Sequence, residues 1–454
     1  MAGKGSNFYE VIIIGAGPAG LFAALELSGK MDVLVLEGKK SAGGAGALTD
    51  GKLNLTPLIG MDLDELDLSR KEAQHIIDYV DSVFLDCGAD PTLYGVDDEK
   101  IRWWLEKVSW VRRQYEDERF DVSLIPARQR HMGTDMTHRV IKNLVGKIKA
   151  RGVKFDMGVN VKSVRQGDTF VIDAGGKRLR SRYTIVAPGR EGAYWFREVA
   201  KDLGTEMCFG PIDIGCRIEV SASVMEEITS VLYDPKFHFV TPTHRDKTRT
   251  FCTNPYGRVR IEKNIDYILV NGDALKKKKT SNTNFAILNT VNMTEPVQDT
   301  KLMGIKVAKF ANFWGGTKSA IVQRLGDLLN GSRSKKETFF SREKGYDKLE
   351  PTLPPGKYVT PGDVSFAYPG RIVDNLRESL DLLGKVLPGV LHPSTLIYIP
   401  EIKYYDTKYV TDVNLQTSVP GLYVAGDGVG KSRGIVGAAL NGILAARGIL
   451  AGRS

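Results

Sequence analysis

The stretch that most restricts this chain lies near its start. "YEVIIIGAGPAGLFAALELSGKMDVLVLEGKK", beginning at Tyr9, reads as strand, tight turn, helix and strand. Val11 to Ile14 are β-branched, Ala19 to Leu27 has helical spacing, and Val33 to Leu36 is again strand-like. Gly15, Gly17 and Gly20 fit G-x-G-x-x-G with Ala16, Pro18 and Ala19 between them. The first glycine permits the turn, the second lets the backbone approach a pyrophosphate, and the third lets helix and sheet pack closely. Glu37 closes the second strand 22 residues after Gly15, where a carboxylate accepts hydrogen bonds from ribose hydroxyls. Strand, glycines, helix and acid in one register predict a dinucleotide site on a Rossmann-like α/β domain.

A stretch near the other end, "VAGDGVGKSRGIVGAALNG" from Val424 to Gly442, nearly spells a phosphate-binding P-loop, with Ala425 in place of its first glycine. Only 22 residues follow Ser432, too few for the strand that would carry a metal-binding aspartate, which excludes a nucleoside triphosphatase.

"SAGGAGALTDGKLN" adds Gly43, Gly44 and Gly46 just past Glu37, Gly38 and Lys39, and resembles the second glycine cluster of two-domain flavoproteins. "RGVKFDMGVNVKSVRQGDTFVIDAGGKRLRSRYTIVAPGREG" alternates like a β-meander through Val161 and ends on an apolar strand, Thr184 to Ala187, before Pro188 and Gly189. This is similar to the adenine-side return of the glutathione-reductase-type FAD fold. In that fold an aspartate placed like Asp427, after Gly426, hydrogen-bonds the ribityl and pyrophosphate region. Glycine-rich backbone to Gly434 then feeds a helix beginning near Ile435, whose positive end suits the charge that collects on reduced flavin.

"GGAGALTDGKLN", "RQRHMGTD", "NGDALKKKKTSNTNFAIL", "PTLPPGKYVTPGD" and "GDGVGKSRGI" together resemble the uncharacterised FAD-dependent dehydrogenase family of bacteria and archaea. The resemblance covers nearly the whole chain. It implies tightly held FAD and an oxidoreductase that transfers hydride between flavin N5 and a small organic substrate, without naming that substrate.

The expected architecture is a discontinuous FAD-binding domain over 1–60, 125–205 and 396–454. A helical insertion at 61–124 and a mixed α+β substrate domain at 206–395, with a helical stretch near Ile321 to Leu329, complete it. Trp103, Trp104, Trp110 and Tyr115 in the first insertion are read as packing residues. No second strand, G-x-G-x-x-G and helix unit occurs in 206–395, so NAD(P)H or an electron carrier is expected only as a transient reductant.

Asp50, Gly51, Lys52 and Asn54 follow the second glycine cluster, where flavoproteins of this architecture approach the isoalloxazine ring. Lys52 has two readings, contact with flavin N5 or an anionic substrate, and a structural pair with Asp50. Arg128 and Arg130 are candidates for phosphate or substrate. His131 and His138 lie seven apart with no carboxylate or cysteine set beside them, so no metal is expected. Thr134 or Asp135 is expected to cap the following helix. Lys431 and Arg433 are placed at the flavin's pyrimidine edge, with Lys52 and Arg433 the candidate catalytic residues.

Net charge is +9, and Lys276 to Lys279 form a basic run. These allow a second function, FAD-dependent tRNA modification, but no RNA-binding signature accompanies them and nucleic acid is not the expected partner. A third, reduction of an isoprenoid or lipid, lacks an amphipathic anchor. The longest uncharged apolar run, Val11 to Leu25, is 15 residues and broken by three glycines and a proline, so no transmembrane segment is expected. Four cysteines without C-x-x-C spacing and no cleavable signal in "MAGKGSNFYE" point to the cytoplasm. Oligomeric state is not encoded in any motif.

Overall fold

The computed structural model describes residues 7–48, 51–114, 120–291, 298–340, 349–404 and 407–452. Asp50 and Tyr115 lie outside the described residues. The chain forms two compact units, one made of 1–92, 130–210 and 406–454, the other of 93–129 and 211–405.

The first unit is built on a mixed sheet. Strands Lys154–Met157, Val33–Glu37, Phe8–Ile14 and Lys177–Val186 run parallel in that spatial order. Val11, Ile12 and Ile13 are fully buried, as expected of a parallel strand covered on both faces. Strand Lys177–Val186 is shared. Its first half closes the predicted meander with Phe170–Ala174 and Val161–Gln166, and its second half takes the late strand Leu422–Val424 in parallel register. That pairing draws the end of the chain onto the sheet that its beginning starts.

Helix Pro18–Leu27 and helix Gly434–Ala451 pack together, and both are apolar all round because both are buried. Their approach is close: a Cβ on Gly442 would lie 2.0 Å from the Ala19 carbonyl oxygen. By length and composition Gly434–Ala451 is apolar enough to cross a membrane, a property the sequence reading did not register, but 72% of it is buried inside the protein, as in a core helix.

In the second unit an eight-stranded sheet runs Val359–Pro361, Ala320–Arg324, Leu396–Tyr404, Ile212–Ser221, Asn282–Val291, Lys247–Asn254, Lys236–Val240 and Asp121–Ile125. Only the first two of these pair in parallel. One face carries the apolar core, with Ile214, Ile218, Phe285, Ile287, Phe237 and Ile399 packed under helices Asp98–Gln114, Thr300–Trp314 and Gly370–Val386. The reading of 321–329 as helix fails over its first half: Ala320–Arg324 is a buried strand and only Leu325–Leu329 is helical. A short apolar run fits both periods, and pairing with Leu396–Tyr404 decides it.

The polar segment 61–124 supplies one helix to each unit, Arg70–Asp86 to the first and Asp98–Gln114 to the second. The packing role expected of its aromatics holds for Trp104, which is buried, whereas Trp103 and Trp110 stand exposed.

Candidate cofactor site

Three helices of the first unit, Pro18–Leu27, Gly189–Asp202 and Gly434–Ala451, begin without a side-chain cap. Each start has unpaired N–H groups and the positive end of a helix dipole. At each start stands a glycine, Gly17, Gly189 and Gly434, where an added Cβ would meet nothing within 4 Å. The neighbouring glycines are closed. A Cβ would fall 2.1 Å from the Ala187 carbonyl oxygen at Gly15, 1.9 Å from that of Gly15 at Gly20, and 2.1 Å from that of Gly189 at Gly428. Closed glycines therefore hold the backbone together, and open ones leave a cradle among the helix starts.

Short contacts join the segments. Gly43 donates its N–H to the Ala16 carbonyl at 2.7 Å. A Cβ on Gly44 would lie 3.5 Å from Gly17 Cα, and one on Gly46 would touch Pro18 and lie 3.8 Å from the Ile435 side chain. One on Gly426 would lie 3.1 Å from Ala19 Cβ. The amino-terminal turn, the second glycine cluster and the carboxy-terminal stretch thus meet in one place.

Glu37 ends its strand nearly buried, its Oε2 accepting from Ala16 N at 2.8 Å and its Oε1 from Lys39 N at 2.9 Å. Each carboxylate oxygen retains capacity for a further donor. The Gly38 position faces Asn160 Oδ1, 2.8 Å from where a Cβ would stand. Val161 begins the edge strand of the meander, half-buried. Ala187 is buried and donates its N–H to the Ile14 carbonyl.

Asp427 accepts from Arg190 Nε at 2.8 Å, with Arg433 Nε 3.7 Å from its other oxygen. Burial pushes the Asp427 carboxyl up, Arg190 and Arg433 outweigh it, and its pKa is lowered from the ordinary aspartate value. Arg433 is anchored through its backbone, which donates to the Gly60 carbonyl at 2.7 Å. Lys431, expected at the flavin's pyrimidine edge, has a buried ammonium paired with Glu65, which also pairs with Lys408 at 2.7 Å. Burial lowers the Lys431 pKa and Glu65 restores only part of it.

The remaining candidates sit on other elements of the first unit or in the loop 276–279. Arg130 is committed to Asp81 through two hydrogen bonds of 2.7 and 2.9 Å and to the Pro91 carbonyl. Gly51 is packed against Thr137, and Lys52 opens the strand Lys52–Asn54. His131 sits buried on the strand Gln129–His131 and His138 is exposed on the next helix, so the two share no helical face. That helix starts at Thr134 after Gly133, and neither Thr134 nor Asp135 is its N-cap. The lysine run 276–279 is a loop, with Lys279 over the Tyr256 ring.

Sequence reasoning missed Arg190, Gly60, Glu65 and Asn441, whose buried Oδ1 accepts from Gly426 N at 3.3 Å. Arg190 had a local signal, directly following the quoted "APG" at the end of a strand. Glu65 had none, because its partners Lys408 and Lys431 come from another part of the chain.

In the second unit the polar face of the sheet carries a charged network. Arg217, fully buried, donates to both oxygens of Glu401, and Lys403 pairs with the same carboxylate at 3.0 Å. Arg249 pairs with Asp213 at 2.6 Å and Lys236 with Asp234 at 2.5 Å. Lys236, Arg249 and Lys403 converge on the Phe251 ring, 5.3, 5.0 and 5.9 Å from its centroid. Desolvation, with Arg249 and Lys236 adding to it, brings the His238 imidazole down to about 4.

Residues 10–290 match the FAD dependent oxidoreductase family. The chain belongs to that family. As such it is an FAD-dependent oxidoreductase, and Gly17 and Gly189 of the cradle fall within the matched residues whereas Gly434 lies beyond them. Residues 211–403 also match a domain described as FAD-dependent protein, C-terminal domain-like. An uncharacterised protein of Clostridium beijerinckii is 22% identical over 475 residues, covering 97% of this chain and 80% of that protein. Among solved structures, glycine oxidase from Geobacillus kaustophilus is 12% identical with a TM-score of 0.42, covering 98% of this chain and 95% of that one. The 3-ketosteroid-delta4-(5alpha)-dehydrogenase from Rhodococcus jostii RHA1 is 14% identical with a TM-score of 0.41, covering 99% and 98%.

Proposed function

We propose that the first unit is the FAD-binding domain, of the glutathione-reductase-type arrangement, and the second the substrate domain of a dehydrogenase or reductase acting on a small anionic organic molecule. The observation that carries this reading is the set of three uncapped helix starts, each with an open glycine, converging in one unit. Gly15, Ala16, Gly17, Pro18, Ala19 and Gly20 take the pyrophosphate, Glu37 the adenosine ribose, and the meander edge at Val161 the adenine side. Gly38, Lys39, Gly43, Gly44 and Gly46 line the turn beyond the ribose acid. Ala187, Gly189, Gly426 and Asp427 take the ribityl side. Gly434 and Ile435 present their helix start to the pyrimidine edge, where its positive end favours a negative charge.

FAD, when bound, supplies two-electron chemistry by exchanging hydride at N5. The chain's own residues bind and orient. Arg433, held by Gly60 and Asp427, adds fixed positive charge beside the carboxy-terminal helix start. Lys52 is the candidate for substrate contact. Arg130 enters as a structural residue, since its guanidinium is engaged by Asp81 and Pro91 through all three of its nitrogens. An anionic substrate is favoured by the cations Lys236, Arg249 and Lys403 that converge around Phe251. NAD(P)H or an electron carrier is the transient reductant. The four free cysteines fit a reducing, cytoplasmic setting.

The test is purification followed by denaturation. Yellow protein releasing FAD supports the reading, and colourless protein that binds no FAD ends it. Substrate class is then read anaerobically, as bleaching of the bound chromophore by carboxylate-bearing compounds and not by their neutral amides.

A further inference from the structure

The helical side of the second unit carries an aromatic cluster that the cofactor reading does not use. On the helix Thr300–Trp314, Phe310, Phe313 and Trp314 are exposed, with Leu302 exposed toward its start. Phe366, from the turn Val364–Phe366, stacks on Trp314 with centroids 5.4 Å apart and planes at 21°. Phe310 and Phe313 meet Trp314 edge-on at 6.3 and 6.2 Å. The opposite side of this helix is anchored, with Ala308 and Ala311 in the core and Asn312 bonded both ways to the Ile268 backbone. The exposed rings are therefore a stable feature of the surface. A contiguous apolar patch of this kind marks an interaction site.

Charge identifies the occupant. The helix carries Lys301, Lys306 and Lys309 and no carboxylate, and Lys318 follows in the next turn. Lys309 is matched by Asp266, and Asp363 is used in capping Val364–Phe366. Lys306 and Lys318 stand exposed at the rim. Helix Asp98–Gln114, packed on the same core, also exposes Trp103 and Trp110, with Lys107 over the Trp103 ring at 5.0 Å, although it carries Asp98, Glu99 and Glu106 as well. Trp and Phe beside lysines are what a lipid headgroup region accommodates, with rings in the interfacial layer and ammonium groups on anionic phosphates. A second copy of the chain is a poorer occupant, because self-complementary pairing would set one lysine rim against another.

We propose that the second unit docks on the surface of an anionic lipid bilayer through Phe310, Phe313, Trp314 and Phe366, with Lys306 and Lys318 reaching the headgroups. The sequence reading lacked this because the patch is assembled from two segments and is not one amphipathic helix.

The experiment uses the full chain as purified with its cofactor, floated with phosphatidylcholine vesicles with and without phosphatidylglycerol. Binding is expected only to the anionic vesicles, weakened by salt and accompanied by a blue shift of tryptophan emission. Phe310→Ser combined with Phe313→Ser is expected to lower partitioning about tenfold or more with FAD content and melting unchanged. Lys306→Glu combined with Lys318→Glu is a second variant that spares the rings and is expected to weaken binding to anionic vesicles alone. Absence of binding at low salt, or binding that neither variant alters, overturns the proposal. So does a concentration-dependent dimer that the phenylalanine variant dissolves in a protein that ignores vesicles, which would assign the patch to a second copy.

Discussion

The two glycine stretches, 15–20 and 426–434, both lead into buried apolar helices that start without a cap, yet only the first contains a lock within itself. In the first, one lock is local, Gly20 being closed by the carbonyl of Gly15 five residues earlier, and one is remote, Gly15 itself being closed by Ala187. In the second it is remote, with Gly428 closed by Gly189, Gly430 crowded by Thr407 and Lys408, and Gly442 closed by Ala19. A local lock repeats as a spacing in sequence. A remote one leaves glycines whose reason is found only once the partner strand is in place.

The largest effects test that difference directly. Gly20→Val drives a side chain into a backbone carbonyl that cannot move without opening the turn, and is expected to destabilise by about 4 kcal/mol or more, seen as loss of soluble folded protein. Gly442→Val should cost a similar amount although the carbonyl it meets, that of Ala19, belongs to the other end of the chain. A Gly442→Val protein that melts like the parent would break the comparison, since the two helices would then not be packed as described.

Next in size is a pair of substitutions into open space. Gly17→Ala adds a methyl group where nothing lies within 4 Å, so melting without cofactor should stay within about 1 kcal/mol while FAD retention falls at least about tenfold. Gly434→Ala meets equally open space but at φ 77°, where an alanine carries strain of about 1–2 kcal/mol. It should therefore lose both stability and cofactor. Comparing the melting of the two cofactor-free variants separates space from backbone conformation. Retention of FAD by dialysis, followed by fluorescence of what is released, reads the first property alone.

This contrast also explains what was legible. The βαβ start, Glu37, the meander and the late strand that ends at Val424 are visible in sequence because each rests on a period or spacing within some thirty residues. The wrong readings are those whose answer lies across the fold. Arg130 reads as a candidate for phosphate or substrate, but Asp81, brought up by the helix Arg70–Asp86, claims it. Lys431 reads as a cation at the flavin's pyrimidine edge, but Glu65 claims it. In both cases the sequence carries the cation and hides the carboxylate. The segment 321–324 became strand because an eight-stranded sheet had a place for it.

The helix start Gly189–Asp202 makes two ion pairs, one with Asp427 of the second glycine stretch and one with Lys39, just past the strand that follows the first, and the two differ in depth. Asp427, largely shielded, binds Arg190. Its folded pKa is lowered, so the stabilising contribution is fully present above the unfolded aspartate pKa of about 3.9 and is lost as pH falls through the lower folded value. Asp427→Asn should accordingly flatten the fall of the denaturation midpoint on acidification below about pH 4. The effect is modest because Arg190 is half exposed and solvent screens the pair. An unchanged acid slope would mean that Asp427 is no better paired than in the unfolded chain.

The amino-terminal tether is the smallest effect. Lys39 and Glu191 pair at 2.7 Å with both side chains well exposed. Two long side chains fixed in water gain little beyond the entropy they give up, so Glu191→Gln should shift stability by less than about 0.5 kcal/mol, and less still in high salt. The amino-terminal turn does not need more, because its glycines and the Glu37 bonds to Ala16 and Lys39 already fix it. A loss of several degrees in melting temperature for Glu191→Gln would reverse that reasoning and make an exposed ion pair, and not the packed backbone, what fixes the amino-terminal turn.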